Sequence, residues 1–131
     1  MTFDLANELT ADFRIADLEY PIVLQREQSN MTAELELYIP PKLKYFEGHF
    51  TGHPIVPGIA MIDWVTEIGD EIFGCGKAVL AIKQVKFKKI VRPKDILHLR
   101  LDWETNRSLL TFKYLSSEGD HASGILEILQ I

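Results

Sequence analysis

The fold is decided by residues 57–74, which read PGIAMIDWVTEIGDEIFG. Within this stretch apolar residues recur at the three- and four-residue spacing of an amphipathic helix. They are Met61, Trp64, Val65, Ile68 and Ile72. Pro57-Gly58 marks the start and Gly74 the stop, so a single long helix is predicted over 59–73. Its first turn is apolar on every side, which requires a wrapping sheet or a second chain to cover it.

The segments that flank this helix alternate between apolar and polar residues, a period typical of half-buried strands. The alternation is clearest in residues 32–39 and 97–103. Strands are predicted over 21–28, 32–39, 79–91, 96–104, 109–116 and 122–131, with turns near 29–30, 92–95, 105–107 and 118–120. One long helix against a large antiparallel sheet is an α+β arrangement. Its 131 residues form a single predicted domain.

Composition and charge narrow the class of protein. The chain is 47% hydrophobic and 25% charged with a net charge of -5, which argues against a general nucleic-acid binder. The lone Cys75 cannot form an internal disulfide and no C-x-x-C pair is available for zinc. The sequence lacks a basic leader and a stretch of about 20 apolar residues, so we expect a cytoplasmic protein.

Basic residues are concentrated in one segment of this acidic chain. Six of the fourteen lie between positions 83 and 94 with no acid among them, namely Lys83, Lys86, Lys88, Lys89, Arg92 and Lys94. Such a basic strip predicts a landing surface for an anionic partner. The alternative is an ordinary solvated strand face whose neutralising acids lie nearby in space.

Chemistry is concentrated in residues 45–64, where Gly and Pro fix an irregular loop before the helix. This loop can hold His49 in a set orientation. The first N–H groups of the helix, at Pro57-Gly58, lack intrahelical partners and can hold a developing oxyanion. Asp63 lies roughly 7.5 Å further along the helix axis, among apolar neighbours that would raise its pKa. A base, an acid and an oxyanion donor are therefore within reach of one substrate.

Other interpretations of these side chains remain open. Asp63 can belong to the wet face of the helix, together with Thr66, Glu67, Asp70 and Glu71. The four-residue spacing of His49 and His53 suits metal ligands on a helix, but Gly52 and Pro54 argue against a helix there, so we predict no metal site. His98 on the polar side of a strand and His121 in a turn are predicted to be surface residues.

The run G-H-F-x-G-x-P-x-x-P-G over residues 48–58, with an acid fourteen positions after the histidine, resembles the active-site signature of β-hydroxyacyl-ACP dehydratases of the FabA/FabZ type. The resemblance implies a hot-dog fold, in which an antiparallel sheet of five to six strands wraps one long central helix. It assigns catalysis to His49, Asp63 and the Gly58 N–H. Substrate contacts are expected from Phe50, Pro57, Ile59 and Ile62, and contacts with acyl carrier protein from Lys83, Lys86, Lys88, Lys89 and Arg92.

The implied reaction converts 3-hydroxyacyl-ACP to trans-2-enoyl-ACP in a homodimer or higher homo-oligomer, without metal or cofactor. The pair Asp63-Trp64 also resembles dehydratases of bacterial aryl-polyene clusters, so the pathway is fatty-acid or aryl-polyene synthesis. Lys94 stands where the family commonly has Gly, which predicts a turn without positive φ. The rival functions are a hot-dog thioesterase and a non-catalytic acyl-binding partner subunit.

Overall fold

The computed structural model describes residues 19–46 and 52–130 and consists there of one long helix and six strands. The helix, α1, spans Gly58–Phe73, and a 3-10 turn spans Lys44–Phe46. The strands are β1 (Ile22–Gln28), β2 (Thr32–Tyr38), β3 (Val79–Phe87), β4 (Ile96–Glu104), β5 (Leu109–Ser116) and β6 (Gly119–Ile128). The predicted α+β arrangement is confirmed.

All six strands form one antiparallel sheet in the order β1-β2-β4-β5-β6-β3. The hairpin β1–β2 closes where the Ser29 N–H donates to the Thr32 carbonyl at 2.9 Å. The helix interrupts the chain between β2 and β3, and β3 then pairs with the last strand, β6, at the far edge of the sheet. The outer edge of β3 is consequently left without a neighbouring strand within the described chain.

The helix packs its apolar stripe against the middle strands. Trp64 and Val65 are fully buried together with Leu99, Leu101 and other large side chains of the sheet. The Tyr114 hydroxyl on β5 donates to the Met61 carbonyl at 2.7 Å, which fixes the helix over that strand. A Cβ at Gly69 would lie 2.6 Å from a Leu110 methyl group, so the glycine permits this close approach.

The helix begins where the sequence predicts and ends on a left-handed glycine. Pro57 precedes the first helical residue with φ -65° and ψ 144°, and Gly74 has φ 65° and donates its N–H to the Asp70 carbonyl at 2.8 Å. In the structure described here no helix is both long and apolar enough to cross a bilayer.

Two turns differ from expectation. Lys94 has φ 73°, so the predicted loss of positive φ was wrong. Hydrogen bonds offset the strain there, because the Lys94 N–H reaches the Ile39 carbonyl at 2.7 Å and the Asp95 carboxylate accepts the Arg92 N–H at 2.8 Å. At the same end of the sheet β6 begins at Gly119 instead of 122, since a glycine with φ 112° allows a tighter turn.

Candidate active site

Part of the predicted site lies outside the described residues. His49 and Phe50 belong to the segment 47–51, so their predicted roles stay predictions. Pro57, Gly58, Ile59, Ile62 and Asp63 all lie at the start of α1 or immediately before it. The helix therefore brings the predicted acid, the predicted oxyanion donor and three of the predicted substrate contacts into one region.

The N-terminus of α1 presents free backbone donors. The first N–H with an acceptor in the helix is that of Ala60, bonded to the Pro57 carbonyl at 3.0 Å, so those of Gly58 and Ile59 precede the helical ladder. Among the residues that the structure describes, no side chain caps this end. A substrate oxygen with developing negative charge would find both donors and the positive end of the helix dipole here.

Phe87 of β3 covers this helix end and was missing from the predicted site residues. A Cβ at Gly58 would lie 2.7 Å from Cζ of the Phe87 ring, so only glycine fits beneath the ring as it is placed. Half of the Phe87 side chain remains exposed. Strand alternation alone could not have found this contact, because β3 and the helix start are almost thirty residues apart in sequence.

The residues predicted to contact substrate differ in how much of each is exposed to solvent. Ile62 is 8% exposed and belongs to the core, whereas Ile59 is 70% exposed and points away from it. Pro57 is half-buried. The apolar first turn predicted to be covered on all sides is thus bare at Ile59 in the single chain, which leaves this position available to a ligand or a second chain.

Asp63 is exposed, yet the protein around it raises the pKa of its carboxyl above the ordinary value. Partial desolvation is the largest cause, followed by the negative charges of Glu67 and Glu19, while Lys44 and Lys77 act in the opposite direction. The predicted direction for the pKa is therefore confirmed. The predicted wet face is also present, but Thr66 is buried and bonds the Asp63 carbonyl at 2.8 Å.

Two tyrosines that the sequence did not indicate share the surroundings of Asp63. Burial, and then nearby charges that include Asp63, raise the pKa of Tyr20, and burial is also the main cause for Tyr45. The Tyr45 ring meets Trp64 edge-on with centroids 6.3 Å apart. The Trp64 indole donates to the Glu19 carbonyl at 2.8 Å, which anchors the segment before β1 to the helix. Both tyrosines lie outside any periodic segment, so no sequence signal singled them out.

The basic strip divides into paired and unpaired cations. Lys83 lies 3.0 Å from Glu127, and Lys88 lies 3.8 Å from Asp120. Within residues 19–46 and 52–130 the side chains of Lys86, Lys89 and Arg92 have no ion-pair partner. The solvated-face interpretation thus holds for two of the five predicted carrier-binding residues.

The side of β3 that faces away from the basic side chains is apolar and exposed. Ile82 pairs with Leu126 and Phe87 with Ala122, and since both partners belong to the core, these side chains face the side of the sheet that carries the helix. Four apolar residues of this strand are between 38% and 60% exposed: Leu80, Ile82, Val85 and Phe87. An edge strand with this much exposed apolar surface is suited to pairing with another chain.

His121 is not the surface residue that the sequence predicts. It is 2% exposed, and its Nδ1 lies 3.1 Å from the Ile90 carbonyl while its Nε2 lies 2.7 Å from the Ser116 hydroxyl. His98, by contrast, is partly exposed and meets Glu34 at 2.9 Å, as expected of a surface histidine. Burial raises the pKa of Cys75 to about 11, so this thiol is a poor nucleophile.

No cluster of three or more His, Cys, Asp or Glu side chains is placed to hold an ion within the described part of the chain.

Known proteins share both the sequence pattern and the fold. FabZ, a 3-hydroxyacyl-[acyl-carrier-protein] dehydratase of Levilactobacillus brevis, is 38% identical over 85 residues, which cover 59% of this chain and 57% of the relative, so the match spans less than two thirds of that protein's length. A structure of the dehydratase heterocomplex ApeI:P from Xenorhabdus doucetiae matches with a TM-score of 0.79 and 33% identity over 84% of this chain and 98% of that one.

A more distant structure shares the fold alone. The dehydratase domain from the CurF module of curacin polyketide synthase matches with a TM-score of 0.56 and 15% identity, over 89% of this chain and 46% of that one. These similarities confirm the hot-dog fold expected from the resemblance. The model of the ApeI-like family, described as ApeI dehydratase, matches residues 25–125, far more than half of the chain, and the protein therefore belongs to the ApeI-like dehydratases.

Proposed function

We propose that the protein dehydrates 3-hydroxyacyl groups carried on acyl carrier protein to trans-2-enoyl groups. The observation that carries the proposal is the position of Asp63 on the first half of the helix. The N-terminal donors of this helix have no side-chain cap among the described residues and lie beneath Phe87. An acid with a raised pKa and a candidate oxyanion site lie on the same helix, roughly 7.5 Å apart along its axis, and β-elimination from a thioester requires both. Family membership favours this chemistry over thioester hydrolysis.

In the proposed mechanism His49 removes the proton from Cα of the thioester. The negative charge that develops on the thioester oxygen is held by the Gly58 N–H at the helix N-terminus. Asp63 then gives its proton to the departing β-hydroxyl, which leaves as water. The carboxyl must be protonated before this step, and the partial desolvation and like charges around it favour that form.

We further propose that two chains complete each site. Phe87, on the exposed apolar face of the edge strand β3, lies over Gly58, so a chain docked on this face would reach the first turn of the helix. In a homodimer His49 of one chain would then meet Asp63 of the other. The ApeI:P structure is a heterocomplex, so a related but different chain is the competing partner at the same edge.

Recognition of the carrier is assigned to the basic strip. Acyl carrier protein is acidic, and a protein of net charge -5 needs a local cationic surface to attract it. Lys86, Lys89 and Arg92 are proposed to supply most of the attraction, because Lys83 and Lys88 are already partly neutralised. The acyl group itself is proposed to be of the fatty-acid or aryl-polyene type.

The decisive experiment supplies alkyl and aryl 3-hydroxyacyl-ACP to the purified protein and identifies products by mass spectrometry. We expect the enoyl thioester as the product, recognised by the loss of 18 mass units that corresponds to one water. Its formation should be about a hundredfold or more slower in His49→Ala and in Asp63→Asn. Free acid and free carrier thiol would establish a thioesterase instead. An absence of product with every acyl group would favour the acyl-binding partner subunit.

Subunit mixing tests the shared site. If the two groups come from different chains, mixing the His49→Ala and Asp63→Asn proteins under exchange conditions restores part of the activity, since some mixed dimers then hold one intact site. Mixtures in which subunit exchange is demonstrated by mass spectrometry but activity stays absent would contradict the shared site.

A further inference from the structure

A cavity lies beside the basic strip, between the β3–β4 connection and the β5–β6 turn. It has a volume of about 260 Å³ and is lined by Lys89, Ile90, Arg92, Glu118 and His121. Sites for whole small molecules usually measure about 300–1,000 Å³. This cavity is therefore sized for one chemical group of a larger ligand.

The charge of the cavity wall favours an anion with one negative charge. Lys89 and Arg92 have no ion-pair partner within the described part of the chain, and Glu118 is the single carboxylate in the lining. Two cations and one carboxylate leave one net positive charge among these three side chains. Arginine and lysine together are a typical pair for phosphate, the arginine as a fork and the lysine as a point charge.

A buried hydrogen-bond chain holds this wall in place. The Ile90 carbonyl can only accept, so His121 donates from Nδ1 at 3.1 Å and, in the neutral ring, accepts the Ser116 hydroxyl proton at Nε2 over 2.7 Å. The Ser116 oxygen in turn accepts the Glu118 N–H at 3.1 Å. The network spans the turn and the connection, so the cavity does not depend on a single loop.

The same histidine fixes the backbone that carries the cations. The His121 carbonyl accepts the N–H groups of Lys88 at 2.8 Å and Lys89 at 3.2 Å. The backbone of Lys89, which lines the cavity, and that of its neighbour Lys88 are thus held by β6. Their side chains project from a backbone that has little freedom to move, which lowers the entropic cost of closing on a ligand.

The connection also reaches the candidate active site. The carbonyl of Val91, the residue before Arg92, accepts the Val56 N–H at 2.9 Å, and Val56 lies two residues before Gly58. A ligand group held by Lys89 and Arg92 is therefore anchored one backbone hydrogen bond away from the segment that leads to the oxyanion donor.

We propose that this cavity binds the phosphodiester that joins the pantetheine arm to its carrier protein, a reading that rests on the proposed function. A phosphodiester carries a single negative charge at neutral pH, which matches the net charge of the lining, whereas a phosphate monoester is nearly doubly charged and is opposed by Glu118. The diester is held by Lys89 and Arg92, and the arm continues past Val56 to present its thioester at Gly58.

The kinetic test compares two small substrates that differ in one group. One is a 3-hydroxyacyl thioester of pantetheine, and the other is the same thioester with a 4′-phosphate methyl ester on the arm. We expect kcat/KM to be about tenfold higher for the phosphodiester, as one charge-assisted contact typically gives. In Lys89→Gln/Arg92→Gln this ratio should fall toward one. Lys113→Gln, a paired cation on β5, is the matched control and should keep the ratio.

A binding measurement separates this proposal from the reaction. Line broadening in ³¹P NMR of the acyl-free pantetheine 4′-phosphate methyl ester should report binding to the native protein and to Lys113→Gln, but not to Lys89→Gln/Arg92→Gln. If the phosphodiester binds but no substrate is turned over, the proposed dehydratase activity is contradicted and the proposed anion site is still supported.

Three results would overturn the site. The first is the same ratio of kcat/KM between the two small substrates in the native protein and in all variants. The second is a loss of kcat/KM in Lys89→Gln/Arg92→Gln that is seen only with carrier-bound substrate. The third is displacement of the diester by equimolar inorganic phosphate. The second would mean that the cations contact the carrier surface, and the third that the cavity is a general anion trap.

Discussion

At the scale of single residues, the protonation of Asp63 is controlled by charges that the helix and the preceding segment place around it. Glu67 lies one turn further along α1, and its negative charge raises the pKa of the Asp63 carboxyl, whereas Lys44 lowers it. A general acid works only in its protonated form. The rate should therefore decline as the pH rises through the pKa of Asp63, and neighbours of opposite charge should move that decline in opposite directions.

We predict opposite shifts of the alkaline limb of the pH profile of kcat/KM in two charge-neutralising variants. Glu67→Gln removes a like charge, so the pKa of Asp63 falls and the limb moves to lower pH. Lys44→Gln removes an opposing charge, so the limb moves to higher pH. Both shifts should be small, because the Glu67 and Lys44 side chains are partly exposed and their charges are screened by solvent. Shifts in the same direction would remove Asp63 from the role of acid.

At the scale of elements, His121 joins strand β6 to the connection between β3 and β4. Replacing it with alanine removes the partner of the Ile90 carbonyl and of the Ser116 hydroxyl, and both of these hydrogen bonds are partly buried. Leaving buried polar groups without partners typically costs about 1–3 kcal/mol. We expect His121→Ala to lower the free energy of unfolding by that amount in urea titration.

The same substitution at His98 is the matched control. Its partner Glu34 is on the surface, where solvent screens the 2.9 Å contact between the two side chains, so His98→Ala should change the free energy of unfolding by about 0.5 kcal/mol or less. Equal losses in the two variants would mean that the buried network does not hold the connection, and would weaken the case for a preformed cavity beside Lys89 and Arg92.

At the scale of the whole molecule, the bare edge of β3 predicts how the protein assembles. Ile82→Lys places a charge on the exposed apolar side of this strand, where a second chain would have to bury it. We expect the variant to be monomeric by light scattering and to lose dehydratase activity, because each site would lack its second chain. Thr111→Lys, at an exposed position in the interior strand β5, should leave the native mass unchanged.

The unmodified protein could instead have the native mass of a monomer and become active only after a different family member is added. That result would assign the β3 edge to a heterologous partner. An Ile82→Lys protein that stays dimeric and active would place the contact elsewhere on the molecule.

Local pattern determined most of the framework. Helical spacing over 57–74 located α1 and its glycine stop, and alternation in residues 32–39 and 97–103 located two of the central strands, since both signals depend only on neighbours in sequence. The motif in residues 48–58 was specific enough to indicate the family that the comparisons confirm. The motif is defined by residue identity at fixed positions and not by a periodic pattern, so it can be recognised without knowledge of the three-dimensional structure.

Tertiary structure decided what depends on contacts between distant residues. The pairing of β3 with β6 left one edge bare and set Phe87 over Gly58, neither of which a local pattern encodes. Burial of His121 depends on Ile90, thirty-one residues away, and the pairing of Lys83 and Lys88 depends on acids near the end of the chain. Lys94 kept a positive φ because hydrogen bonds across the turn and to Ile39 outweigh its own preference. A side chain's neighbours in space, and hence its charge state and exposure, exist only once the chain has folded.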